Sequence, residues 1–554
     1  MSTRLRLTSA VAALALLASA LPGQAQQINI SATMPSEVPG GLAATPAQAY
    51  TFAWEEFVAA NWPAKSRSGQ PVDETKPPWT PGSPTTAFVR GQPSSAAFGS
   101  TGANGTVVWG TYKHKAEIFG KKLVEIQQAS SYQPPKPPAD NPGVNQLPPF
   151  DSGLGFGYAF ALFPGNGSPS LAWFHNLDEG NEIKLADMYF TPFTTTAALQ
   201  PLAPLVYEAR QNQTLYDYVR SNGLQHDGVR GAALARTNAL LTGIRPPLNP
   251  EYLLPTYISN PPGSIEVKAT WRFYGGANDP DPNALKRYHN RTAIHYTFDG
   301  VKTYYQNATM LLIGLHIIQK TPLAQTFTFA TFEHVDNEAN GFQFNNINKS
   351  PPNGYVPQGL RTAIRQHSIP ADLKAFNTAV QAQLRAQFGN DIVWANYQLT
   401  GIQVVPTNRP TDADPDSPAY QTYFLANLAT ETNSGLQYFQ GFANTNPSGG
   451  YPTPGTTNVY QPKAEGGFTP FSMGGCMGCH GVAQVGGGDF SFLIFKGTGN
   501  AVSPDFIAPY PGGPDPVPPT PGPVLPQNAT GIKDSTGTVI VFPITPQPQN
   551  GGPP

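Results

Sequence analysis

Cysteine is nearly absent: the 554-residue chain has two, Cys476 and Cys479. That excludes a disulfide framework of the kind that staples small exported domains. The fold must rest on core packing. Charge is scarce too. Asp, Glu, Lys and Arg make up 12% of the chain and the formal net charge is −2, where an ordinary globular protein has about 25% charged residues. The sequence holds no basic run or patch, the electrostatic footprint of nucleic-acid binding, so no nucleic-acid partner is expected. Beyond the amino terminus, no apolar stretch approaches the roughly 20 residues a membrane-spanning helix needs. No internal repeat is visible, and neither His nor Met occurs after residue 480.

Glycine and proline, at 55 and 60 residues, are abundant and predict many turns and loops. The amino terminus has the layout of a secretory leader. Arg4 and Arg6 precede an apolar run from Ala10 to Leu21, and Gly23-Gln24-Ala25 supplies the small residues a signal peptidase reads. Cleavage after Ala25 is expected, leaving no transmembrane segment and placing the mature protein in a bacterial periplasm or outside the cell. No cysteine follows the cleavage site at once, which argues against a lipoprotein.

Both cysteines lie in one run, Cys476-Met477-Gly478-Cys479-His480. The C-x-x-C-H spacing points to covalent attachment of a c-type haem, through Cys476 and Cys479, with His480 as proximal iron ligand. Two rival readings fare worse. A structural zinc site wants four ligands, but the nearest upstream histidine is His367 and none follows His480. A redox disulfide of the thioredoxin type calls for a neighbouring βαβ pattern, and Gly474-Gly475 and Gly481-Val482-Ala483 flank the run without a strand leading in. Export and haem attachment agree, because c-type haem is attached outside the bacterial cytoplasm.

Periodicity predicts a mixed α+β fold: a sheet-containing, loop-rich body with several helices, then the haem segment and a Pro-rich tail. The expected division is 1–25 leader, 26–410 body, 411–500 haem c-binding segment and 501–554 tail. Residues 26–50 read as a linker, 66–105 and 133–150 as loops. Helices are expected over Thr51–Asn61, between Pro204 and Arg220, over Val229–Leu241 and over Ala371–Phe388. Strands are expected at Ile265–Trp271, Met310–Ile318, Thr326–His334 and Trp394–Val405, with Thr538–Phe542 able to pair in the tail.

With no Met or His downstream, a second axial ligand must come from the body. Met310 and His316 fall at an even separation, which on a strand predicts a shared face. His334 ends the next apolar strand. These three residues are the distal candidates; Glu333, His334 and Asp336 form an alternative metal or acid–base cluster.

Three segments carry a family resemblance: Ser472–Gly481 around the C-x-x-C-H run, Gly314-Leu315-His316-Ile317, and Thr331–Asn337. The chain resembles the c-type cytochrome family, and within it large exported mono-haem proteins. The resemblance implies one haem c held by Cys476, Cys479 and His480, and redox or electron-transfer work with a partner protein. The chain departs from small cytochromes in having no downstream methionine. That keeps a second reading in view, a haem-dependent oxidoreductase, peroxidase- or oxygenase-like, whose open iron position acts on a small-molecule substrate.

Overall fold

The computed structural model describes residues 27–67, 88–114, 150–151, 203–241, 263–298, 303–339, 343–349, 355–362, 364–408, 426–431, 459–463 and 468–496, apart from a few single positions, and the backbone of strands at 158–165, 168–176, 186–190, 524–525, 532–533 and 539–540. The leader and residues 133–149 lie outside the described residues. So does most of the tail, where Val539–Ile540 pairs with Ile532–Lys533.

The chain is a mixed α+β protein, as its pattern predicts. Its main sheet contains Lys113–His114 (β1), Tyr158–Gly165 (β2), Ser168–Asn176 (β3), Val206–Gln211 (β4), Ile265–Phe273 (β5), Asn290–Phe298 (β6), Thr303–Gln319 (β7), Thr328–His334 (β8) and Tyr397–Gln403 (β9). The order is β1-β4-β5-β7-β6-β3-β2, with β8 pairing β7 and β9. β7 organises the sheet. One edge takes β5; the other takes β6 along Thr303–Leu311 and β8 along Gly314–Gln319.

The two faces differ in chemistry because strand residues alternate. On one face Ala269 and Trp271, Leu315 and Ile317, Ala330 and Phe332, and Leu399 are buried and apolar. This face packs on helices α1 (Pro46–Ala60) and α4 (Ala371–Phe388). Phe332 stacks on Phe57 at 4.3 Å and meets Trp54 edge-on at 5.1 Å, and Trp54 Nε1 donates to Asn377 Oδ1 of α4 at 2.9 Å. On the other face stand Glu266, Lys268 and Thr270, His316, Thr331 and Glu333, and Gln403. That polar face carries the candidate site.

α1 begins five residues before the predicted Thr51 because Thr45 and Gln48 form a capping box around Pro46. α4 keeps its predicted stripe and ends at Gly389, whose φ of 94° suits glycine. Helices α2 (Gln213–Ser221) and α3 (Asp227–Leu241) lie between β4 and β5.

Several expectations are corrected. Residues 26–50 are no linker: Ile28, Met34 and Val38 enter the core, and Glu37 accepts from Thr321 Oγ1 and Leu323 N. Residues 66–105 are not all loop, since Phe88–Pro93 pairs with Ala64–Ser66. The helix expected between Pro204 and Arg220 is a strand and then a helix. Pairing with β5 claims Val206–Gln211, and Asn212 Oδ1 caps Leu215 N at 3.1 Å. The strand expected at Trp394–Val405 starts as a 3-10 turn, Val393–Asn396.

The even spacing of Met310 and His316 does not give a shared face. A bulge interrupts β7: Leu312 stands opposite Trp271 but Gly314 opposite Thr270. One extra residue, Ile313, inverts the alternation beyond it. Met310 therefore lies with Phe273 and Trp271 on the apolar face, and His316 with Lys268 on the polar face.

Candidate haem-binding site

Gly475–Ala483 forms helix α5, which carries Cys476, Cys479 and His480. On a helix, residues three apart lie on one side, so both thiols stand one above the other with the imidazole beside them. The cysteines are 6% exposed each and are not joined by a disulfide.

The first turn of a helix leaves backbone N–H groups unpaired, and here a side chain from the sheet meets one. Gln403, on the polar face of β9, accepts from Met477 N at 2.7 Å and donates to the Gly474 carbonyl at 3.0 Å. The approach requires glycine at 475. Its φ is +69°, and a Cβ there would stand 2.3 Å from Gln403 Nε2.

After α5 the chain turns through Gln484–Gly488 and Asp489–Phe490 into the short helix α6, Phe492–Lys496. The turn brings the Phe490 carbonyl to 2.6 Å from His480 Nδ1. A carbonyl can only accept, so Nδ1 carries the proton, and Nε2 is the ring nitrogen left to ligate a metal. Metal-binding histidines are oriented this way. The imidazole packs against Phe329 of β8 at 5.1 Å and Phe492 at 4.9 Å.

Two polar contacts tie this turn to the sheet. Lys320, just past β7, binds Asp489, and Ser491 Oγ donates to Glu266 of β5. Burial pushes the Glu266 carboxyl up to about 8, with the Ser491 hydrogen bond opposing and Asp489 reinforcing the shift. A carboxyl raised in the folded state favours folding at low pH. That contribution is whole below the ordinary Glu value and is lost as pH rises through about 8. Each unit of pH across this window costs up to about 1.4 kcal/mol. Glu266→Gln is thus expected to leave stability at pH 5 nearly unchanged and to raise the thermal midpoint at pH 8–9, in unfolding scans of both proteins. Equal pH dependence in the two would contradict the assignment.

His316 shares the polar face with α5. Burial, then the nearby charges of Lys268 and His480, lower its pKa to about 3, which keeps it neutral. Its Nε2 is 3.6 Å from Glu431 Oε1, so with the ring neutral this is no ion pair, and Nε2 has no hydrogen-bond partner among the described residues.

Glu431 comes from the segment 426–431, which is strapped across the same face. Asn427 Nδ2 donates to the Phe332 carbonyl at 2.7 Å, Leu428 N to Glu333 Oε2 at 3.1 Å, and the Thr430 and Thr270 hydroxyls meet at 2.7 Å. Gly314 lies beneath, where a Cβ would come within 3.1 Å of Thr430 Oγ1.

The three distal candidates are thereby separated. His316 is brought to the face of α5; Met310 and His334 are not. His334 stacks on Tyr288 at 3.5 Å and meets Tyr397 edge-on on the apolar side. Glu333 and His334, adjacent in β8, point to opposite faces, and Glu333 is bound by Arg365 while Asp336 pairs with Arg287 at 2.6 Å. Glu333 is thus apart from the other two, while His334 Nδ1 lies 3.6 Å from Asp336 Oδ2 and accepts from Asp336 N at 3.2 Å. Among the described residues no three His, Cys, Asp or Glu side chains are arranged to hold a metal ion.

Sequence reasoning missed Gln403, Phe490, Lys320 and Glu431. Each acts across more than one element, and no local pattern marks it.

The donor set is of the kind a covalently held haem needs: two thiols a helical turn apart, an imidazole whose Nδ1 is held so that Nε2 can ligate, and on the same face a second, buried imidazole nitrogen with no hydrogen-bond partner among the described residues. No family model, curated protein or solved structure matches the chain.

Proposed function

We propose that this chain is an exported mono-haem c-type protein, with one haem attached through Cys476 and Cys479 and His480 as proximal iron ligand, that passes electrons to or from a partner protein in the periplasm or outside the cell. The observation that carries the reading is the His480 Nδ1 contact with the Phe490 carbonyl, made from the same helix that presents both thiols. When bound, the haem supplies a one-electron ferric–ferrous couple.

His316 is proposed as the distal ligand. Its depressed pKa keeps a lone pair available at neutral pH, and ligation would satisfy a buried nitrogen that has no hydrogen-bond partner among the described residues. An iron held by both His480 and His316 would be suited to electron transfer.

The placement of Glu431 supports a second reading. With Glu431 Oε1 3.6 Å from its Nε2, His316 could hold or release a proton beside an open iron position, as an oxidoreductase acting on a small substrate requires. Absorption spectra of the oxidised and reduced protein, with and without carbon monoxide, decide between them. The electron-transfer reading predicts a low-spin spectrum indifferent to carbon monoxide, and a His316→Ala variant that becomes high-spin and binds it. Ready carbon monoxide binding by the unaltered protein would move the assignment to the oxidoreductase.

A further inference from the structure

We infer that Lys320 is a positioning residue for His480, acting through the backbone turn at Asp489–Phe490. This rests on the haem reading above and extends it to the residues that orient the proximal ligand.

The first ground is where strain collects. Among the described residues, three that are not glycine have positive φ: Phe327 at 62°, Asp489 at 47° and Phe490 at 67°. Left-handed backbone costs a non-glycine residue about 1–2 kcal/mol, and for a bulky phenylalanine it is a marked outlier. Two of them meet at one lysine, and the third packs beside them. Lys320 Nζ binds the Asp489 carboxylate and stands 5.2 Å above the Phe327 ring. The Phe327 and Phe490 rings pack at 6.3 Å, and Phe329, which touches His480, packs on Phe490 at 6.1 Å.

The second ground is what the strained turn delivers. Its product is one carbonyl, that of Phe490, aimed at His480 Nδ1. Such an acceptor fixes the tautomer and rotation of a ligating imidazole and strengthens it as an electron donor. Ser491, bound to Glu266, fixes the turn from its other side.

A stabilising role alone explains the arrangement poorly. The Lys320 and Asp489 side chains are 1% and 3% exposed, and a buried ion pair seldom repays its own desolvation. Strain persists where surrounding structure overdetermines it, and it gathers at functional sites. Here the ion pair holds Asp489 in the left-handed region and so places the next residue's carbonyl.

The test compares Lys320→Met, Lys320→Arg and Asp489→Asn with the unaltered protein. It reads covalent haem per chain, the Soret and charge-transfer bands, and the midpoint potential. Lys320→Met is expected to keep covalent haem at the unaltered stoichiometry while shifting the bands and the potential. Lys320→Arg, which retains the cation, should restore both. Asparagine tolerates left-handed backbone, so Asp489→Asn should reproduce the shift without steric change, and it decides the matter if Lys320→Met does not accumulate. Unaltered bands and potential in the variants lacking the ion pair would overturn the inference while leaving covalent haem attachment standing. Absence of covalent haem from the unaltered protein would overturn both.

Discussion

Replacing Cys476 and Cys479 together by alanine is expected to leave a chain that holds no haem through denaturing electrophoresis, whereas the unaltered protein stains for it. The effect should be all or none, because a thioether survives unfolding and a coordinate bond from His480 does not. Each single replacement retains one thioether, so each should keep some in-gel stain at reduced yield. The sequence offers no substitute thiol, since these are its only two cysteines. Stain of unaltered intensity in the double variant would reject attachment at α5. The replacement should not empty the core, because the two side chains are small and lie on a helix that Gln403 also anchors.

Glu333→Ala is expected to destabilise the fold by about 3–5 kcal/mol, the range for removing one partner of a buried ion pair. Glu333 is fully buried, binds Arg365, accepts from Gln398 Nε2 at 3.2 Å and takes the Leu428 N–H at 3.1 Å. Its loss leaves the largely buried guanidinium of Arg365 without this carboxylate, and Leu428 N without its acceptor. It also releases one tie of the 426–431 strap, which positions Glu431 beside His316. Chemical denaturation of the two proteins measures the first effect. The second is read as carbon monoxide binding that appears in the variant and is absent from the parent. Glu333→Gln, which keeps an acceptor for Leu428, should lose less stability than Glu333→Ala. Equal stability of Glu333→Ala and the parent would show that the strap does not depend on this carboxylate.

Parts of this arrangement are legible in the sequence for local reasons. C-x-x-C-H is a contiguous run whose spacing by itself suggests the haem chemistry proposed for it. The stripe of α4 and the alternation of β5 follow from single-element periodicity, so Leu373, Phe376 and Val380, and Val267, Ala269 and Trp271, fall on buried faces. What the sequence hides is non-local. The bulge at Ile313 is marked only by the adjacent Gly314 within the apolar run Met310–Ile318, yet it alone puts His316 and Met310 on opposite faces. Strand β4 was disguised by the helical spacing of Leu205, Val206 and Ala209 until pairing with β5 decided it. Gln403 and Lys320 reach α5 and its following turn from positions 74 and 169 residues away in the chain. No window along the sequence relates such residues.

The central claim is one haem covalently bound to this chain, and the intact mass of the mature protein under denaturing conditions tests it most directly. The account predicts a mass above that of the leader-free polypeptide by one haem, lost together with the two thiols in the Cys476→Ala, Cys479→Ala variant. A mass equal to that of the polypeptide alone, from cells that attach haem c to other exported proteins, would contradict it.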